Sequence, residues 1–92
     1  MIKDQKVERA EITDEEGIRW ELGYYVRTFE ANDSQSETYG IKIDRSGPGD
    51  STSEQTGGIS YSFKEAESLA KKMAAATVTP MSLYAVVDDL MA

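Results

Sequence analysis

In the stretch "GYYVRTFE", Tyr25, Arg27 and Phe29 fall two residues apart, the spacing that puts side chains on one face of a β-strand. Two aromatic rings bracketing a guanidinium have the composition of a protein-recognition patch, in which rings supply apolar contact and arginine supplies directed hydrogen bonds. The same trio on a solvated strand also reads as ordinary cross-strand packing, each ring sheltered by its neighbours. Both readings stay open on the sequence.

Other chemistries are easier to dismiss. The 92 residues contain no Cys and no His, so disulfides, thiolate or imidazole metal sites and Cys–His or Ser–His nucleophiles are excluded. Acidic residues cluster at Asp14–Glu16, around Asp33 and Glu37, and at Asp88–Asp89. None of these runs has the alternating oxygen spacing and terminal Glu of a calcium loop, and neighbouring Asp88 and Asp89 point about 100° apart on a helix. The Gly-rich run "SGPGDSTSEQTGG" lacks the Lys, and the helix directly after it, that a phosphate-binding loop requires. The sequence therefore suggests no catalytic residue, cofactor or metal.

A net charge of −7, from 17 acidic and 10 basic residues, repels phosphate backbones and anionic headgroups. We expect no nucleic-acid partner and no membrane association. An acidic mimic of nucleic acid would need its carboxylates in one strip, and they are scattered. No apolar run approaches the roughly 20 residues that span a bilayer, and "MIKDQKVERAEI" has no hydrophobic stretch of the kind a signal peptide carries, so a cytoplasmic location is expected.

The elements that must position the trio follow from periodicity. Val7–Thr13 reads as an edge strand, Asp14–Gly17 as a hairpin turn, and "IRWELGYYVRTFE" as the central strand, whose Ile18, Trp20, Leu22, Tyr24 and Val26 form an apolar face. Tyr25, Arg27 and Phe29 then lie on the opposite face. "ANDSQS" reads as a polar loop and "ETYGIKIDR" as a third, antiparallel strand with Tyr39, Ile41 and Ile43 inward. Residues 46–58 are expected to form a flexible loop, and "ISYS" a short fourth strand.

Ser62 and Glu65 stand in capping-box spacing at the start of a helix running to about Ala76, with Phe63, Ala66, Leu69, Ala70 and Met73 on its apolar side. Thr79 and Pro80 suit the start of a last helix whose Leu83, Val86, Val87 and Leu90 recur at i, i+3, i+4, i+7. Each such side chain contributes about 1.5–3 kcal/mol on burial, so this stripe is expected to cover the protein's own sheet.

"TYGIKI" (38–43), Ile59–Ser60 before a helix, and "VTPMSLYAVVDDL" (78–90) together resemble a family of small uncharacterised Firmicutes proteins, chiefly from Clostridia, defined as a domain of unknown function. The resemblance runs from Tyr24 onward. It implies the same order of strands and helices and a bacterial cytosolic setting, and it brings no activity, substrate or site residue.

The expectation is a single α+β domain over 1–92, with a three- or four-stranded antiparallel sheet and two C-terminal helices on one face. Its function is read as a non-catalytic protein-interaction or regulatory module, binding another protein or a second copy through the sheet face or an edge strand. The alternative is a small-molecule binder or weak enzyme with a pocket between sheet and helices around Trp20 and Tyr61.

Overall fold

The computed structural model describes residues 2–30 and 37–91, with side chains over 3–30 and 37–89. Strands β1 (Ile2–Thr13), β2 (Arg19–Glu30), β3 (Glu37–Gly47) and β4 (Asp50–Gln55) form an antiparallel meander in the order β1-β2-β3-β4. Helix α1 (Phe63–Ala75), a 3-10 turn (Pro80–Ser82) and helix α2 (Leu83–Met91) follow. The α+β class and the two C-terminal helices are as expected. The polar loop read at 31–36 lies outside the described residues.

The first hairpin is organised by one carboxylate. Asp14 accepts the N–H groups of Glu16 and Ile18, each at 2.9 Å, and the indole N–H of Trp20 at 3.0 Å, while Gly17 takes the left-handed φ of +81°. Those donors, led by the Trp20 indole, hold the Asp14 carboxyl below the usual range.

The reading of residues 46–58 as a flexible loop is wrong. β3 runs on to Gly47, Pro48 and Gly49 make a two-residue turn, and Asp50–Gln55 pairs back along β3 from Gly47↔Asp50 to Lys42↔Gln55. Proline before a glycine at φ +75° meets the demands of a type II turn. β4 escaped notice because "DSTSEQ" has no apolar residue and all six side chains are exposed. Its place in the sheet is set by backbone bonds rather than by a buried apolar face.

The fourth strand expected at "ISYS" reduces to one bridge, Tyr39↔Ser60. Between Gln55 and Ser60 the ladder takes in two extra residues, and Thr56 fills the gap. Its buried hydroxyl accepts the Ile41 N–H at 3.0 Å and donates to the Gly57 carbonyl at 2.7 Å. This detour presses the Gly57 carbonyl onto Gly40, where a β-carbon would lie 2.4 Å from that oxygen. Glycine in "TYGI" is therefore a requirement of close backbone approach.

Alternation on β2 and β3 supplies the core. Leu22, Tyr24 and Val26 pair across to Arg45, Ile43 and Ile41, so these residues share one face, and all but Arg45 are fully buried there. α1 lays Ala66, Ala70, Met73 and Ala74 on this face, and Leu83 and Val87 of α2 join the same cluster. Leu83, Val86 and Val87 of the stripe cover the protein's own sheet, and the side chain of Leu90 lies outside the described residues. Small residues on α1 let the helix sit close; Phe63 stacks edge-on against Tyr39, ring centroids 5.7 Å apart.

β1 reaches this core through a bulge. Val7 has the opposite parity to Ala10 and Ile12, yet all three pack against the cluster, because the register shifts between Lys6 and Glu8. The bulge also turns Asp4 and Lys6, before it, and Arg9 and Glu11, after it, to the same open side.

The helix ends carry two departures from expectation. Ser62 caps α1 by accepting the Glu65 N–H at 3.2 Å, but its own N–H goes to Ser60 Oγ at 3.0 Å, so the capping box is only half made. Thr79 makes no side-chain cap; Pro80 opens the 3-10 turn, and α2 begins three residues later. At the C-terminus of α1, Val78 N–H bonds Met73 and Thr77 N–H bonds Ala74, each at 3.0 Å, the Schellman pattern with Thr77 at φ 50°. A β-branched residue there is strained. Replacing Thr77 by Gly is expected to raise stability by about 1 kcal/mol in urea unfolding.

Val78 also receives a buried side-chain bond that joins the helical layer to the sheet: the Tyr24 hydroxyl donates to its carbonyl at 2.7 Å. Burial pushes that phenol up to about 12. Folding favours the neutral phenol, so its contribution is complete below pH 10 and lost as pH rises through the folded-state value. Tyr24→Phe leaves the carbonyl unpaired, an expected cost of about 1–2 kcal/mol, and should flatten the fall in stability between pH 10 and 12. Urea titrations at pH 7, 10 and 11.5 would measure both.

Candidate functional site

The helices cover one side of the sheet, and the other side is built of rows set by strand register. The central row runs Lys6–Tyr25–Lys42, with each lysine directly opposite the tyrosine. On one side of it lie Asp4–Arg27–Gly40 and on the other Arg9–Gly23–Asp44, followed by Glu11–Glu21–Ser46.

Tyr25 lies flat along its strand. A β-carbon on Gly23 would meet Tyr25 Cε1 at 3.1 Å and its hydroxyl at 3.3 Å, so the ring occupies the space left by the glycine. Both ammonium groups flank it, Lys42 at 5.5 Å and Lys6 at 6.0 Å from the ring centroid. Burial, and next the Asp44 carboxylate, raise the Tyr25 phenol, which keeps its proton at neutral pH.

Arg27 is held by Asp4, its cross-strand neighbour, at 2.8 Å from Nε and 3.3 Å from Nη2, and Lys42 approaches the same carboxylate at 3.6 Å. Arg9 bridges Glu11 and Glu21, which face each other across the strands, at 2.7 and 3.6 Å. Below Tyr25 a polar depression of about 380 Å³ is lined by Lys6, Glu21, Gly23, Asp44 and the β3–β4 hairpin.

The structure thus places Tyr25, Arg27 and Phe29 on one helix-free face, all three half-buried. It does not make them a continuous aromatic patch, because the Asp4–Arg27 pair stands between the two rings. Sequence reasoning missed Asp4 and Lys6, which together with Gly23 give Tyr25 its surroundings. The bulge at Val7 hides the first half of β1 from any alternation test. Trp20 and Tyr61, expected around one pocket, are far apart: Trp20 packs over Gly47 beneath Arg45, whose guanidinium carbon is 4.4 Å from the ring centroid. Tyr61 follows the bridge at Tyr39, eight residues along β3 or about 26 Å away.

The charges are segregated between the two sides. By register the open face carries Lys6, Arg9, Arg19, Arg27 and Lys42 against Asp4, Glu11, Glu21 and Asp44, a net +1 that leaves −8 for the rest of the chain. Among the described residues no three carboxylates converge as metal ligands would, and no helix is long and apolar enough to cross a membrane.

A model for a family of unknown function (DUF6514) matches residues 3–92. The chain belongs to that family. The match takes in β1 from Lys3 and the first five residues of β2 as well as the segments from Tyr24 onward that carried the resemblance. No curated protein and no solved structure matches the chain.

The Arg27 hydrogen bond, ahead of the charges of Arg27 and Lys42, lowers the Asp4 carboxyl against the opposing effect of burial. A lowered carboxyl stabilises the fold above its unfolded value near 3.9 and loses that contribution as pH falls through the folded value. Asp4→Asn is expected to cost up to about 1 kcal/mol at pH 7 and to remove this part of the acid limb. Denaturant midpoints between pH 2 and 7 would show it.

Proposed function

We propose that this protein is a non-catalytic interaction module of a bacterial cytosol, in a family centred on Firmicutes, and that it binds a protein partner through the helix-free sheet face around Tyr25. The supporting observation is the row Lys6–Tyr25–Lys42: a ring and two ammonium groups set in register by three strands, at the centre of a nearly neutral face. Rigid strands hold these groups without the entropy cost of ordering a loop.

Against catalysis stands the state of the titratable groups. The Tyr25 phenol keeps its proton, and Asp4, Glu11, Glu21 and Asp44 are each engaged by Arg27, Lys42 or Arg9, Asp44 by Lys42 at 3.9 Å, so none is an unpaired carboxylate.

Substituting both Tyr25 and Phe29 by Ser provides the test. The double variant should keep cooperative unfolding and lose the partners retained from cell extract by the unaltered protein, or lose self-association seen by sedimentation over a hundredfold concentration range. Unchanged mass and an unchanged set of retained proteins would remove the reading.

A further inference from the structure

The outer edge of β4 has been left without a role, and its surroundings differ from those of β1. Thr56 N–H bonds the Ile41 carbonyl at 2.9 Å, which fixes the phase of the β3–β4 ladder. Residues 50, 52 and 54 then bond inward to β3, and the N–H and C=O groups of Ser51, Ser53 and Gln55 point outward. The Gln55 carbonyl accepts the Tyr84 hydroxyl at 2.6 Å; those of Ser51 and Ser53 have no partner among the described residues.

Natural edges are blunted by lysine, proline, bulges or covering elements. β1 has a bulge and a run of alternating charges. Within its six residues β4 has no lysine, proline or bulge, and Met81, 88% exposed, stands beside it. Pro80 and Met81 form with Thr52, Ser53 and Glu54 a recess of about 380 Å³ on the helix side of this edge.

The elements that form the edge carry charge of one sign, with Arg45 and Lys42 one strand in, opposite Thr52 and Gln55. β4, the 3-10 turn and α2 carry Asp50, Glu54, Asp88 and Asp89 and no basic residue. A second copy would bring the same carboxylates to the seam and a second charge of −7.

We propose that β4 is a docking edge for an extended, basic segment of another protein, which adds a fifth strand. Its helix-side residues would read basic, apolar, basic at every second position, the apolar one entering the Met81 recess and a basic one meeting Glu54. The outer edge of β4 adjoins the depression beneath Tyr25, which Ser51 and Ser53 also line; the Tyr25, Phe29 double variant distinguishes the two readings.

The test is a titration of the full chain, ¹⁵N-labelled and carrying ¹³C-methyl methionine, with the blocked peptide TKTVTKT, and with TETVTET as control. Shifts should grow at the Ser51 and Ser53 amides and the Met81 methyl, with a high-micromolar Kd as suits so small a contact. Raising salt from about 20 to about 200 mM should weaken binding several-fold. Ser53→Pro removes an outward N–H and no bond to β3, so it should abolish these shifts while leaving the remaining spectrum and the melting temperature near their original values. Glu54→Gln, at an exposed position, should weaken binding several-fold.

Equal binding of the acidic peptide, unchanged binding by Ser53→Pro, or no shifts at β4 would overturn the proposal. So would a mass that doubles with protein concentration and reverts in Ser53→Pro, which would assign the edge to a second copy. The Tyr25, Phe29 double variant should bind the peptide like the unaltered chain.

Discussion

One buried hydrogen bond, from the Tyr24 hydroxyl in the middle of the sheet to the Val78 carbonyl, ties the two layers together. A phenol placed in an apolar core must find an acceptor, and here it finds one where backbone bonds are released, just past a helix end. The Schellman turn exposes the Val78 carbonyl while its N–H stays bonded to Met73. The chain therefore leaves α1 above Tyr24, and the 3-10 turn and α2 are directed toward β3 and β4. The left-handed φ at Thr77 accompanies that exit, a strain of about 1 kcal/mol held by the buried contacts of Val78 and Met73 on either side.

From that junction the division of labour in the sheet follows. With α1 across β1, β2 and β3 and the 3-10 turn against β3 and β4, one face is committed to packing. The other keeps its polar side chains, and because pairing fixes neighbours across strands, each charge meets a defined counterpart. Asp4 opposite Arg27 is a favourable pair; Glu11 opposite Glu21 is unfavourable and is relieved by Arg9 from the adjacent row. Tyr25 can lie down only because Gly23 has no side chain. The geometry of the candidate site is thus a property of register as much as of residue type.

Register is also what the sequence hides. β2 was legible because five alternate apolar residues leave one assignment, and α1 because its apolar spacing and Ser62 agree. β4 was illegible for the opposite reason: an edge strand with both sides exposed needs no apolar residue, so composition suggests a mobile loop. The half-made capping box shows the same limit at atomic scale. Ser62 and Glu65 were correctly placed, yet Ser60, two residues earlier, takes the Ser62 N–H that Glu65 would have served. Tyr25, Arg27 and Phe29 could be assigned to one face from spacing alone. Lys6 could not be set beside Tyr25, since the bulge at Val7 reverses the parity of everything before it.

Net charge argues against polyanions only as an average over the surface. The strands place half of the ten basic residues on the helix-free face and leave −8 elsewhere, with no basic residue on β4 or α2. At physiological ionic strength the Debye length is about 8 Å, shorter than the separation between the two sides of the molecule, so an approaching partner responds to the nearer side. A protein of charge −7 can then present one nearly neutral, aromatic-centred face and one strongly negative edge. The two surfaces differ in chemistry although they meet at the β3–β4 hairpin.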